Sequence, residues 1–241
     1  MSKQSMVQAA ARNNAEWCAV MSRAHGVESQ FGEQEWAASA RTPLYYPDAV
    51  TLVPGADPAA VVARIDTSMP GGSIKDSFAD LDLTEAGFEV LFDAQWIHRP
   101  ANAPAISSDL AWDVPGDKDT LGAWAQAWDQ EDGNAHLFRP ELLNDPATFL
   151  LAGHSADGRV VAGAVASRSD HLVGISNVFA LDGPDTAWPV VLDAVHRLFP
   201  TLPVVGYEHG DDLAAAGAPR LRAGRSAADL DSPRTGLSQP K

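Results

Sequence analysis

The stretch from Phe149 to Glu208 constrains this chain most. It opens as FLLAGHSADGRVVAGAVASR, two apolar runs joined at Asp157-Gly158. An Asp-Gly pair between apolar runs is a strong hairpin signal, because both turn positions need positive φ. A third apolar run, Leu172 to Leu181, follows the turn at Ser169-Asp170. Trp188, Val191, Leu192, Val195 and Phe199 then recur at helical spacing and fall on one face. A short buried strand ending at Tyr207 closes the stretch. Strand, turn, strand, strand, helix, strand is an α+β (α/β-like) order. The single helical crossover predicts a mixed sheet whose last two strands are parallel.

This pattern resembles the core of the GNAT acyltransferase superfamily, over about Trp112 to Ala216. GISNVFALDG sits where the family's fourth strand opens into its acyl-CoA loop. LPVVGYEHGDDLAAAG sits where the fifth strand meets its following helix. The resemblance implies a mixed central sheet flanked by helices. It also implies acyl transfer, most simply acetyl transfer, from acetyl-CoA or another acyl-CoA to a small-molecule amine. In the family the fourth and fifth strands splay. The pantetheine arm then pairs with the fourth strand like an added strand, and a strand N–H polarises the thioester carbonyl. Carried onto this chain, the cosubstrate would lie along Val178, Phe179, Ala180 and Leu181, with Gly183 and Thr186 at its phosphate end. Glu208 and Tyr207 cluster at the last strand's end, where ligands gather in open α/β sheets. A desolvated Glu208 would serve as base and Tyr207 as acid. Ser176 and Asn177 interrupt an apolar strand and are candidates to touch the acceptor.

The phosphate loop departs from the family pattern of a basic residue or Gln followed by closely spaced glycines. Leu181-Asp182-Gly183-Pro184-Asp185-Thr186-Ala187 has one glycine and no basic residue. Pro184 lacks an N–H, Asp182 and Asp185 bring negative charge, and Asp185 or Thr186 is a candidate helix cap. These departures sustain a second reading: a catalytically inactive GNAT-like scaffold that binds a ligand or a protein partner.

The segments before this core are less regular. Trp17, Val20, Met21 and Ala24 fall at i, i+3, i+4 and i+7, and Gly26 stops that helix. A polar segment, Glu28 to Arg41, carries Phe31 and Trp36 as anchors. Ala49 to Val53 predicts a strand. Asp57-Pro58 predicts a helix start with Asp as N-cap. Ser73 to Leu83 and Gly87 to His98 predict two more strands. Residues 1–100 therefore also run strand, helix, strand, strand, which suggests two partial GNAT-like units in tandem. PANAPAISS predicts a linker over 101–108, with the second unit over 109–216. Ala111 to Val114 predicts that unit's first strand. Asp119-Thr120 is read as the cap of a helix with Leu121, Trp124, Ala125 and Trp128 on one face, and Phe138 to Leu143 as a second, short helix. Tryptophan at this spacing reads first as core; Trp112 and Trp124 are also candidates to line an acceptor pocket.

Composition narrows the partners. The formal net charge of −15 opposes a phosphate backbone and argues against nucleic acid. No apolar run reaches the ~20 residues of a membrane span, and the N-terminus lacks a signal peptide's apolar core, so the expectation is a cytoplasmic protein with no membrane partner. Cys18, the single cysteine, sits beside Trp17 and Val20 and reads as a buried thiol. The seven histidines show no metal-ligand spacing, and no metal site is expected. There is no GxSxG elbow, Walker loop or GxGxxG. A last helix is read over Asp211 to Ala216. From Gly217 to Lys241 turn formers dominate, with five basic and two acidic residues. That tail is expected to be disordered, leaving out the family's final strands. The exposed sheet edge would then suit a second copy of the chain, giving a homodimer.

Overall fold

The structure, a computed structural model, describes residues 2–68, 70–103 and 108–210 and the backbone of 220–229, with only the backbone of Pro184. In chain order the elements are α1 (Lys3–Ala24), β1 (Ser29–Phe31), β2 (Glu35–Ala38), β3 (Ala49–Thr51), α2 (Pro58–Val62), β4 (Ser73–Asp76), β5 (Phe88–Arg99), β6 (Ala111–Asp113), α3 (Lys118–Asp129), β7 (Thr148–His154), β8 (Val160–Arg168), β9 (Val173–Ala180), α4 (Pro184–Leu198), β10 (Val204–Glu208) and β11 (Arg220–Asp229). They divide into two compact units. One holds Met1–Trp96 with β11 from Leu221 on; the other runs from Ile97 through β10. Both carry a mixed sheet flanked by helices. Among the described residues no helix is long and apolar enough to cross a membrane.

In the first unit the strand order is β1-β2-β3-β4-β11. β3 and β4 run parallel and the other pairs antiparallel. Ser2 caps α1 by accepting from the Ser5 N–H, and Asp57 caps α2 by accepting from the Ala59 N–H. The apolar face of α1 is buried through Val7, Trp17, Cys18 and Met21. Burial pushes the Cys18 thiol up to about 12, against a smaller lowering by the Lys75 ammonium. A second cluster joins Ala37, Ala49, Val61, Ile74, Leu81 and Phe88. Buried Asp48 accepts from the Thr42 and Ser73 N–H groups and from Arg41, which fixes the loop before β3.

Three expectations change here. The polar segment Glu28 to Arg41 holds the antiparallel pair β1–β2, whose strands are too short to show alternation. The strand expected over Ser73 to Leu83 stops at Asp76, because that buried carboxylate turns back to accept from the Phe78 and Leu81 N–H groups. The tail expected to be disordered contains β11, which pairs with β4 from Arg225↔Asp76 to Ala228↔Ser73. The expected final strands are therefore not wholly missing. The helix expected over Asp211 to Ala216 lies outside the described residues, as do the tail beyond Asp229 and linker residues 104–107.

In the second unit the order is β10-β9-β8-β7-β6. β9 and β10 are parallel, as the crossover predicts, and the other pairs are antiparallel. α4 covers one face with Trp188, Val191, Leu192 and Val195 against Ile97, Ala164, Ala166, Val173 and Ile175. α3 covers the other with Leu121, Trp124 and Trp128. Its cap is Asp117, not Asp119-Thr120: Asp117 accepts from the Asp119 and Thr120 N–H groups in a capping box. The short helix expected from Phe138 is a 3-10 turn over Pro140–Asn144.

Candidate active site

The site is built by two parallel strands that part. β9 and β10 pair at Val204↔Val173, Val205↔Gly174 and Gly206↔Ile175. Beyond that last pair β9 runs on to Ala180 and β10 to Glu208. A bulge on the other side of β9 accompanies the parting. Gly163 faces Phe179 and Val165 faces Ser176, so Ala164 alone stands opposite Asn177 and Val178. Asn177 takes the extra residue's conformation, with φ of 52°. Asn tolerates the left-handed region because its short side chain bonds locally. A bulge bends and twists its strand, so it turns the end of β9 away from the line that β10 follows.

Two glycines let the walls close. A Cβ on Gly163 would stand 2.5 Å from Phe179 Cε1 and 2.6 Å from Trp124 Nε1. A Cβ on Gly206 would stand 3.1 Å from Ile97 Cγ1 and 3.4 Å from the Trp188 ring. Neither position stood out in the sequence, since a glycine's neighbours across a sheet are not written beside it.

The predicted residues do not all meet. Val178 packs toward the α4 cluster. Phe179 is buried on the other face, edge-on to Trp124 at 5.4 Å. Consecutive residues of one strand thus serve opposite faces. Ser176, Asn177 and Ala180 are half-buried, and Leu181 and Thr186 are exposed. Gly206 faces Ile97 and Trp188. Alternation then puts Glu208, 9% exposed, on that face and half-buried Tyr207 on the opposite one. The two sit on opposite sides of the slot's end.

The tryptophans are core. Trp124 is fully buried, and its Nε1 donates to Leu151 O at 2.8 Å. Trp112 lies half-buried on β6 against the α4 cluster, with its Nε1 3.3 Å from Ser108 Oγ. They serve different faces of the sheet.

Acyl-coenzyme A, the cosubstrate implied by the fold, fits this site in one part only. An extended, amide-bearing arm matches the edge of a strand that parts from its neighbour. A diphosphate needs several converging N–H groups. Here the Leu181 N–H donates to Val161 O, the Gly183 N–H to Ala180 O and the Thr186 N–H to Gly183 O. The Thr186 hydroxyl also donates to Gly183 O, at 2.8 Å. Gly183 is the N-cap of α4 and no side chain caps that helix; neither Asp185 nor Thr186 does so. Pro184 has no N–H. The diphosphate does not fit.

A second feature of this unit was hidden in the sequence. A cavity of about 440 Å³ is lined by Asp113, Thr120, Gln126, His154, Arg159 and neighbouring apolar groups. His154 Nε2 lies 3.1 Å from Asp113 Oδ1 and its Nδ1 lies 3.2 Å from Gly158 O. The hydrogen bond to Asp113 above all holds the His154 pKa above the ordinary histidine value.

No family sequence model matches the chain, and no curated protein sequence does. Solved structures do. A GCN5-related N-acetyltransferase from Kribbella flavida superposes with a TM-score of 0.60 at 13% identity, over 92% of this chain and 96% of its own. A putative GNAT-family acetyltransferase from Novosphingobium aromaticivorans gives 0.52 at 13%, over 88% and 96%. A GCN5-related N-acetyltransferase from Sphaerobacter thermophilus gives 0.51 at 11%, over 94% and 96%.

Proposed function

We propose that this chain, which has the GNAT fold, is a thioester-dependent N-acyltransferase acting on a small amine. The observation that carries the reading is the parting of β9 and β10 beyond Gly206↔Ile175, with the bulge at Asn177 beside it. An extended donor lying there adds to the edge of β9, and its thioester comes to rest near the end of β10. A β9 N–H then polarises the carbonyl oxygen. Glu208, nearly buried, takes the one proton that the attacking neutral amine loses as it adds. The nitrogen attacks the carbonyl carbon, the C–N bond forms and the C–S bond breaks. Tyr207, on the opposite side, hands its proton to the leaving thiolate. Val178 and Phe179 anchor β9 to the two layers, so the strand edge keeps its place during the reaction. Ser176 and Asn177 stand at the parting point and are assigned to orient the acceptor.

The test is release of free thiol from S-acetylpantetheine in the presence of a panel of primary amines. Glu208→Gln should lower the rate by about 10²–10⁴ while leaving donor binding unchanged. An undiminished rate in Glu208→Gln would remove Glu208 from the chemistry. A wild-type protein that never acylates an amine would favour the scaffold reading, which the acidic loop supports.

A further inference from the structure

Resting on that reading, we infer that the donor is an acyl thioester without a nucleotide diphosphate, of the acyl-pantetheine kind, and that the loop Leu181–Thr186 selects against coenzyme A. The slot and the loop make opposite demands. The slot asks only for an extended chain with amides, because backbone supplies its contacts. The loop stands where such a chain leaves β9, and there an anion would meet few donors. Three of the loop's N–H groups are already engaged within the protein, those of Leu181, Gly183 and Thr186. Pro184 has none to give. The groups that remain belong to Asp182 and Asp185, each carrying its own exposed carboxylate. Asp185 also lies in the first turn of α4, so the helix's positive end is already answered by an attached anion.

No cation compensates nearby in the sequence. From Ser176 to Val190 there is no Lys, Arg or His. A diphosphate placed here would exchange its hydration for like charge and too few hydrogen bonds. A pantetheine thioester carries no charge at that point and meets no such opposition.

Titration calorimetry on the full-length protein at low salt decides the matter, with S-acetylpantetheine and acetyl-CoA as probes. The wild type should bind S-acetylpantetheine at least as tightly as acetyl-CoA. Added salt should improve the relative standing of acetyl-CoA, since exposed charges are screened. Asp182→Asn and Asp185→Asn should each tighten acetyl-CoA by about two- to fivefold and leave S-acetylpantetheine unchanged. Both substitutions are exposed and isosteric, and the wild-type comparison needs neither. Binding of acetyl-CoA by the wild type about tenfold or more tighter than S-acetylpantetheine would overturn the inference and leave the slot standing. If neither thioester binds, the slot reading falls and takes the inference with it.

Discussion

At the scale of single residues, the histidine beside the cavity has its protonation state written in its neighbours. Both ring nitrogens of His154 face oxygen atoms that accept, Asp113 Oδ1 and Gly158 O. Neutral imidazole has one N–H, so only imidazolium satisfies both. The folded pKa is therefore raised above the unfolded one, and the sign of the linkage follows. The stabilisation is complete below the unfolded histidine value of about 6.5 and fades as pH rises through the higher folded value. NMR titration should find His154 above the ordinary value, and Asp113→Asn should bring it down. A His154 that titrates at or below about 6.5 in the wild type would contradict the arrangement. The pair was illegible in the sequence: its members lie 41 residues apart, and histidine spacing tests for metal ligands, not for a partner across two strands. Cys18 shows the opposite case. Its apolar neighbours on one helix announced burial, and the thiol is 2% exposed. At Gly163 the added carbon of Gly163→Ala meets Phe179, Trp124 and the Leu151 carbonyl within 2.7 Å. Overpacking there should cost about 1–3 kcal/mol, read as a lowered denaturant midpoint.

At the scale of elements, periodicity was a good guide wherever an element has one buried face. Leu121, Trp124, Ala125 and Trp128 are all buried on α3. Trp188, Val191, Leu192, Val195 and Phe199 are likewise buried on and just after α4. The hairpin β7–β8 turns at Asp157-Gly158, but only Gly158 takes positive φ, at 82°, and the loop closes one residue wider, with the Gly158 N–H donating to Ser155 O and the Ser155 N–H to Arg159 O. The shortest strands were not legible: β1 and β2 are three and four residues long and give no period to read. The bulge in β9 lies between these cases. Asn177 was visible as a polar interruption, but its left-handed backbone was not, since that depends on how many residues β8 sets opposite it. A β-branched residue there is strained, so Asn177→Val should cost roughly 1–2 kcal/mol. If the bulge is what parts the strands, Asn177→Val should also weaken S-acetylpantetheine binding, while Asn177→Gly, which accepts positive φ, should bind as the wild type does. Equal binding by all three would show that the slot does not depend on the bulge.

At the scale of the whole chain, the composition of the C-terminus misled because strand pairing is a backbone property. RLRAGRSAAD has few large apolar residues and no alternation, so nothing in it advertises a buried face. Its backbone nevertheless pairs with β4 at Arg225↔Asp76, Ser226↔Lys75, Ala227↔Ile74 and Ala228↔Ser73. The other edge of β4 is held by β3 at Ala49↔Ile74 and Val50↔Lys75. The first unit is thus discontinuous in sequence, closed by a strand that the chain delivers last. Deleting residues 217–241 removes that strand and turns β4 into an edge, whose outward backbone groups pass to water. Hydrogen exchange at the alternate β4 amides that face β11 should then accelerate, and the thermal transition of the first unit should fall. In the intact chain, trypsin should leave the bonds after Arg222 and Arg225 uncut until the first unit opens, because a paired strand must leave its sheet to enter a protease. Early cleavage at those arginines, with exchange at β4 unaltered by the deletion, would return the tail to the disorder that its composition suggests.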